Sequence, residues 1–181
     1  QHNAAGITIK HLLNHSSGLY NYTASKKLKW EDTPNQCLEN SLKRKLNFTP
    51  GSKYDYCNTG YVILGLIIEK ITAQSYQQNI TERIFKPCGL ESMIYCSDDK
   101  IPFNTARGYK IKHNKYTDFT EIDHSWANSA GAVLGNLTDL NKFVDCLFKG
   151  NLIDSSQLKK MISPTIIYRD LNADGMEWFY H

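Results

Sequence analysis

Pro50-Gly-Ser-Lys-Tyr-Asp-Tyr-Cys-Asn-Thr-Gly-Tyr61, running straight into Val62-Ile-Leu-Gly-Leu-Ile-Ile-Glu-Lys-Ile-Thr72, is the stretch whose reading decides the fold. A Pro-Gly turn leads into a short tyrosine-rich segment, and that segment leads into the most apolar run of the chain. From Tyr61 to Ile71 the apolar side chains cover nearly the whole circumference of a helix, broken only by Gly65 and the Glu69-Lys70 pair. A helix that is apolar on most faces is expected to be buried. Tyr56 and Asn58 would then stand at the mouth of the core on a rigid element, the support that a functional group needs.

Tyr56-Cys57-Asn58, set between that turn and a Gly-Tyr-x-x-Leu-Gly-x-x-Ile-Glu helix, resembles the Tyr-x-Asn motif of the serine β-lactamase family. That family includes class C β-lactamases, D-alanyl-D-alanine carboxypeptidases and penicillin-binding-protein-like esterases. Ile7-Thr-Ile-Lys-His-Leu-Leu-Asn-His-Ser-Ser-Gly-Leu19 is similar to the family's segment upstream of Tyr-x-Asn, and Ala130-Gly131 followed by Asp139-Leu140 and Phe143 is similar to a block downstream. The three blocks occur in the family's order. The resemblance implies an α+β fold of the β-lactamase/transpeptidase type, with residues 1–181 supplying mainly its helical region and a β-hairpin.

What the resemblance implies chemically centres on two residues. Acyl transfer to a serine needs a nucleophile, a base beside it and donors for the oxyanion. In the family a Ser-x-x-Lys pair supplies the nucleophile and a cation, and a late Lys-Thr-Gly or His-x-Gly strand binds the substrate carboxylate. The Tyr-x-Asn tyrosine relays protons, which makes Tyr56 the expected catalytic residue. An isolated phenol has a pKa of about 10, so such a tyrosine acts as a base near neutrality only beside positive charge. Asn58, with an amide donor and an acceptor, is the expected substrate-binding residue. D-Ala-D-Ala-like peptides, β-lactams and small esters are the implied substrates, with no cofactor.

Ser97-Asp-Asp-Lys100 and Ser156-Gln-Leu-Lys159 both match Ser-x-x-Lys, but both follow the tyrosine motif, whereas the family's nucleophile precedes it. Neither is read as catalytic. No Lys-Thr-Gly or His-x-Gly occurs. The nucleophile and the oxyanion strand are therefore expected upstream of Gln1 and downstream of His181, and the isolated segment is expected to be inactive. The abrupt start and the terminal Trp178-Phe-Tyr-His181 cluster fit a cut through a larger domain. A non-catalytic binding or scaffold protein of the same fold is the alternative. Family members usually work outside the cytoplasm, so an extracytoplasmic location is implied.

Composition excludes other classes. A net charge of +3, evenly spread, gives no nucleic-acid footprint, and Lys26-Lys27-Leu28-Lys29 and Lys43-Arg44-Lys45 read as solvated surface. No apolar run reaches membrane-spanning length. His11 and His15, four apart on a short helix, have the spacing of zinc ligands, but lack an adjacent glutamate or an obvious third ligand, so no metal is expected and His15 is read as packing and hydrogen bonding at the helix end. His15-Ser16-Ser17-Gly18 lacks the leading glycine of a nucleophile elbow and is read as structural. The five cysteines are odd in number and without metal-ligand spacing. Cys57 and Cys88 are read as packing residues and all five thiols as free, Cys88 with Cys96 being the one pairing left open.

Local signals place the remaining elements. Thr8 caps a short helix ended by Gly18. Residues 19–32 are a loop, and Thr33-Pro34 opens a helix with Leu38, Leu42 and Leu46 as its buried stripe. Ser75 caps another helix, with Tyr76, Ile80 and Ile84 inward, stopped by Pro87 and Gly89. Alternation on either side of a polar turn makes residues 108–122 a hairpin. Asn128–Gly135 is a small-residue loop suited to close backbone approach. Here Ala132, Gly135 and Asn136 depart from the family, which usually has two glycines after the alanine and a Ser-Thr cap. Asn136 and Asp139 form an arrangement like a capping box for a helix with Leu140, Phe143, Val144 and Leu147 as its apolar face. A last short helix covers Ser155 to Ile162.

Overall fold

The computed structural model describes residues 4–25, 33–96, 101–102, 104–120, 125–163, 167–169 and 178–180. Its centre is the helix α3, Asn58–Thr72, with α1 (Ile9–Leu13), α2 (Pro34–Leu42) and α4 (Tyr76–Ile80) packed around it. Against another side of α3 lies a 3₁₀ segment, Ser125–Ala130, whose approach is unusually close. A Cβ at Gly65 would run into the side chain of Ser129, and the Ser129 hydroxyl donates to the carbonyl of Tyr61 at 2.8 Å. The small-residue loop thus does bring backbone close, but to α3.

Each helix starts where a side chain can satisfy the first unpaired amides. Thr8, Thr33 and Ser75 close capping boxes with His11, Gln36 and Gln78. Asn136 caps α5 (Leu137–Phe148) and Asp154 caps α6 (Ser155–Ile162). The box expected at Asn136 is only half made. Its Oδ1 accepts from the Asp139 amide at 2.8 Å, but the Asp139 carboxylate turns away to take the Ser92 amide at 2.6 Å and the Lys142 ammonium at 2.8 Å. Asp139 is buried, and it staples the 90–93 turn to α5.

Three two-stranded antiparallel ladders complete the described chain: β1 (Ile94–Tyr95) with β4 (Val133–Leu134), β2 (Tyr109–Lys112) with β3 (Lys115–Asp118), and β5 (Ile167–Arg169) with β6 (Trp178–Tyr180). The second is the expected hairpin. His113 and Asn114 form its tip with φ of 48° and 58°, the left-handed pair that a type I′ turn demands.

Packing corrects several expectations. α1 ends at Asn14, before Gly18, and Gly18 instead takes φ of 74° where Phe48 leaves no room for a Cβ. On α2 the inward face is Cys37 and Ser41, one residue off the anticipated leucine stripe; Leu42 is exposed and Leu46 lies beyond the helix end. α3 is buried mainly in its first half, at Thr59, Gly60, Val62 and Gly65, while Ile71 is 77 % exposed. The core forms two small clusters against α3, one of Leu12, Leu19 and Cys57, the other of Tyr22, Cys37 and Val62. On α5 only Leu147 of the expected apolar face is buried, and Leu140 and Val144 are exposed.

The cysteines bring the largest correction. Cys88 and Cys146 form a disulfide with Cα atoms 5.7 Å apart, tying the end of the α4 segment to α5. Cys88 is thus a cross-link and its partner is not Cys96. Cys37, Cys57 and Cys96 are free and buried, and Cys57 serves packing as expected, its thiol donating to the Leu19 carbonyl at 3.4 Å. No described helix is long and apolar enough to cross a membrane.

Candidate active site

Tyr56 and Asn58 flank the start of α3, and what lies around them is a cradle of local hydrogen bonds. Asn58 is the first residue of the helix and Cys57 its cap, in extended backbone with no side-chain cap. The missing cap is supplied from elsewhere in the chain. Asn21 Oδ1 accepts the Asn58 amide at 3.3 Å and also takes the Thr23 amide and hydroxyl at 3.3 and 3.0 Å. The Asn21 amide nitrogen donates to the Tyr56 carbonyl at 3.3 Å. One step further along, Thr59 Oγ1 accepts the Tyr22 amide at 3.0 Å and donates to the Tyr20 carbonyl at 2.8 Å. Residues 20–23 therefore clip onto the first turn of α3.

The other side is closed by His15. It sits just past the end of α1 with φ of 55°, and the Ser16 amide returns to the His11 carbonyl at 2.9 Å, the 6→1 bond of a Schellman ending. That backbone sends the ring to the tyrosine segment. His15 Nδ1 accepts the Cys57 amide at 3.1 Å, and its carbonyl accepts the Asp55 amide at 2.9 Å. The ring lies between Tyr56 at 4.4 Å and Tyr61 at 5.0 Å, with Tyr54 edge-on at 5.8 Å. Tyr61 in turn donates from its hydroxyl to the Leu13 carbonyl at 2.9 Å.

Within this cradle Tyr56 is 53 % exposed, with its ring against His15 and its backbone fixed on both sides. The neighbouring phenols are different. Burial raises the pKa of Tyr22, helped by the nearby Cys37, Tyr56 and Cys57, and burial raises that of Tyr61, helped by Tyr56. Both remain neutral hydrogen-bond donors near pH 7. The Cys57 thiol is pushed up by burial as well, which keeps it uncharged. Asn58 is half-buried, and its amide nitrogen donates to Thr23 Oγ1 at 3.2 Å.

The other candidate groups fall elsewhere. Ser16 and Ser17 are buried, with the Ser16 hydroxyl given to Asn14 Oδ1 at 2.6 Å and the Ser17 hydroxyl accepting the Leu19 amide at 3.3 Å, so that turn is structural. Ser156 is exposed on the first turn of α6. Ser97 and Lys100 lie outside the described residues, as do Lys26, Lys27 and Lys29. His11 spends Nδ1 on the Thr8 amide, at 3.3 Å. Among the described residues no group of three or more His, Cys, Asp or Glu side chains is placed to hold a metal ion.

Asn21 is the residue of this cradle that sequence reasoning missed, whereas His15 packs and hydrogen-bonds at the helix end as expected, with a partner 42 residues away that the sequence did not reveal. Asn21 lies in a stretch without periodicity, and its partners are about three dozen residues away. His15 carried one usable signal: a non-glycine residue at the position after a helix end where a left-handed conformation is expected.

The departures in the small-residue loop also have a geometry. Ala132, where a second glycine is expected from the resemblance, has φ of 59°, and Asn128 has φ of 42° and ψ of −134°. Both are positions at which an L side chain is strained.

Comparison with known proteins places the chain in a family and a fold. Residues 1–175 match the family model described as Beta-lactamase. Over 163 residues the chain is 29 % identical to a Bacillus subtilis protein that carries the name penicillin-binding protein PbpX, covering 90 % of this chain and 40 % of that one. Among solved structures, a D-stereospecific amidohydrolase from Streptomyces superposes with a TM-score of 0.84 at 27 % identity, over 91 % of this chain and 54 % of that one. D-amino acid amidase from Ochrobactrum anthropi SV3, solved with D-phenylalanine, gives 0.79 at 27 % identity, over 92 % and 51 %. The chain thus spans about half the length of the relatives it matches. With the family model matching almost its full length, and with the β-lactamase/transpeptidase fold shared by its structural neighbours, the chain belongs to the beta-lactamase family, whose members here include serine hydrolases such as amidases.

Proposed function

We propose that the intact protein containing these residues is a serine hydrolase that works through an acyl-enzyme, with Tyr56 as its proton relay. The substrates are peptides ending in D-amino acids, β-lactams or small esters or amides. The observation that carries this is the exposed Tyr56 on a backbone pinned by His15 Nδ1 at 3.1 Å from the Cys57 amide and by Asn21 at 3.3 Å from the Tyr56 carbonyl.

In this mechanism a serine outside the 181 residues attacks the substrate carbonyl carbon. The Tyr56 oxygen, beside a lysine from the same outside segment, takes the serine proton. The tetrahedral intermediate collapses as the C–N or C–O bond breaks, and Tyr56 returns that proton to the leaving group. Water then repeats the sequence on the acyl-serine. Asn58, bonded to Thr23, orients the entrance to α3 and presents its amide oxygen to substrate or lysine. On this reading neither Ser97 nor Ser156, both after the tyrosine motif in sequence, is the nucleophile, and the isolated segment is inactive.

A mass increase on incubating the intact protein with a penicillin or a fluorophosphonate would reveal the acyl-serine. Tyr56→Phe should slow acylation by about a hundred- to ten-thousand-fold with little change in stability. A Tyr56→Phe rate within a factor of about two of the parent would make Tyr56 structural. The strained Ala132, at φ of 59° in place of a glycine, favours one second reading: a binding protein that keeps the fold without turnover. That protein would bind the same probes without gaining covalent mass.

A further inference from the structure

We propose that His15 is the positioning residue for Tyr56, and that its unprotonated Nδ1 and its ring serve that purpose. The inference rests on Tyr56 being the proton relay, and it concerns what holds that relay in place.

The first observation is conformational. His15 occupies the left-handed residue of a helix ending at φ of 55°. Glycine takes that position without penalty, whereas an L side chain there is strained. Ala73 ends α3 in the same conformation at φ of 54°, so the strain alone assigns His15 no role, and its side chain must.

The second observation is where the side chain goes. Nδ1 accepts the Cys57 amide, a partner 42 residues away, at 3.1 Å. An imidazole nitrogen that accepts is unprotonated, so the ring proton of the neutral side chain sits on Nε2. The same bond satisfies the amide of the α3 cap residue, which has no side-chain cap of its own.

The third is the stacking order. The imidazole lies between the catalytic phenol ring, 4.4 Å away, and the Tyr61 ring, 5.0 Å away. Tyr61 is itself fixed by its bond to the Leu13 carbonyl at 2.9 Å. Backbone bonds from Asp55 and Cys57 therefore bracket Tyr56 on both sides while the ring sets its face. His15 thus meets the 54–57 segment through its carbonyl, its Nδ1 and its ring, while Asn21 holds the Tyr56 carbonyl.

Two substitutions separate positioning from helix ending. His15→Gly keeps the left-handed turn and removes its strain, but loses both the acceptor and the ring. His15→Asn tolerates the left-handed backbone and offers Oδ1 as a replacement acceptor for the Cys57 amide. The intact protein is tested with nitrocefin and a fluorophosphonate for acylation rate, with amide hydrogen exchange at Cys57, and with ¹⁵N shifts of the His15 ring. Expected are a His15 ring in the Nε2–H tautomer, a tenfold or greater loss of acylation rate in His15→Gly with faster Cys57 exchange, and partial recovery of both in His15→Asn. Wild-type acylation by His15→Gly, or unchanged Cys57 exchange, overturns the proposal. Should neither parent nor variant acylate while Cys57 exchange quickens in His15→Gly and recovers in His15→Asn, positioning of the Tyr56 segment stands and the hydrolase function fails.

Discussion

Removing the Cys88–Cys146 cross-link should cost more stability than any single packing change in this part of the molecule. The two cysteines are 58 residues apart in sequence. Cross-linking such a loop withdraws about 4 kcal/mol of entropy from the unfolded chain. Little of this is recovered by local contacts, because Cys88 sits between Pro87 and a left-handed Gly89 at φ of 61°, a turn with no helix of its own. At a typical urea dependence of about 2 kcal/mol per molar, the midpoint should fall by about 2 M. The assay is urea denaturation of the intact protein with and without reductant, beside the double variant Cys88→Ala, Cys146→Ala. The parent should shift with reductant and the variant should not. Thiol titration of denatured, unreduced protein should count only Cys37, Cys57 and Cys96 from this segment. A midpoint indifferent to reductant, or titration of all five segment cysteines, would refute the cross-link and the reasoning built on it.

Gly65→Ala should destabilise by about 1–3 kcal/mol through overpacking, because its Cβ meets both the Oγ and the Cβ of Ser129; adding Ser129→Gly, which removes both atoms, should recover part of that in a thermal melt. Ala132→Gly should raise thermal stability by about 1 kcal/mol, since glycine adopts the φ of 59° without strain; an unchanged or lower melting temperature would contradict the strained backbone. Asp139 should make the fold sensitive to acid. Its bonds from Lys142 and from Ser92 hold its pKa down to about 2, below the ordinary carboxylate value of about 4. That stabilisation is complete above the unfolded value and is lost as pH falls through the folded one, between about 4 and 2. Denaturation at a series of pH values should show a steeper slope in the parent than in Asp139→Asn, the remainder belonging to carboxylates such as Asp118, which Thr120 and Arg107 also hold down to about 2.

What was legible in the sequence was what neighbouring residues decide among themselves. Thr8, Thr33, Ser75 and Asn136 cap the helices they were expected to cap, because a capping side chain needs only the next three residues. The His113-Asn114 hairpin and the span of α6 are local in the same sense. The three sequence blocks carried the family for a different reason, their order. The errors arose where a distant partner decides. Leucines at helical spacing suggested one face of α2, yet Tyr22 and Val62 made the adjacent face, Cys37 and Ser41, the buried one. Cys88 reads as a hydrophobe until α5 places Cys146 beside it. Asn21, which holds Tyr56 through its carbonyl, announces nothing in a stretch without period.

The separations within the Tyr56 cradle bear on how this part of the protein is born. His15 and Cys57 are 42 residues apart, Tyr22 and Thr59 are 37 apart, and Asn21 and Tyr56 are 35 apart. The bonds that press the far segment onto α3 are much longer in reach: 68 residues from Ser129 to Tyr61 and 104 from Tyr22 to Trp126. Closing the longer loops costs only about 0.4–0.9 kcal/mol more by chain statistics, so entropy alone hardly sets an order. Synthesis does. A ribosome delivers N-terminal residues first, at about 5–20 residues per second, and everything that shapes the cradle has emerged several seconds before Trp126 exists. The tyrosine should therefore be oriented before the later segment docks at Gly65, even though Trp126 and Ala130 complete the packing around Tyr22, Cys37 and Val62. Pulse-labelled exchange on stalled nascent chains should find the Cys57 amide protected before Ser129 has left the ribosome.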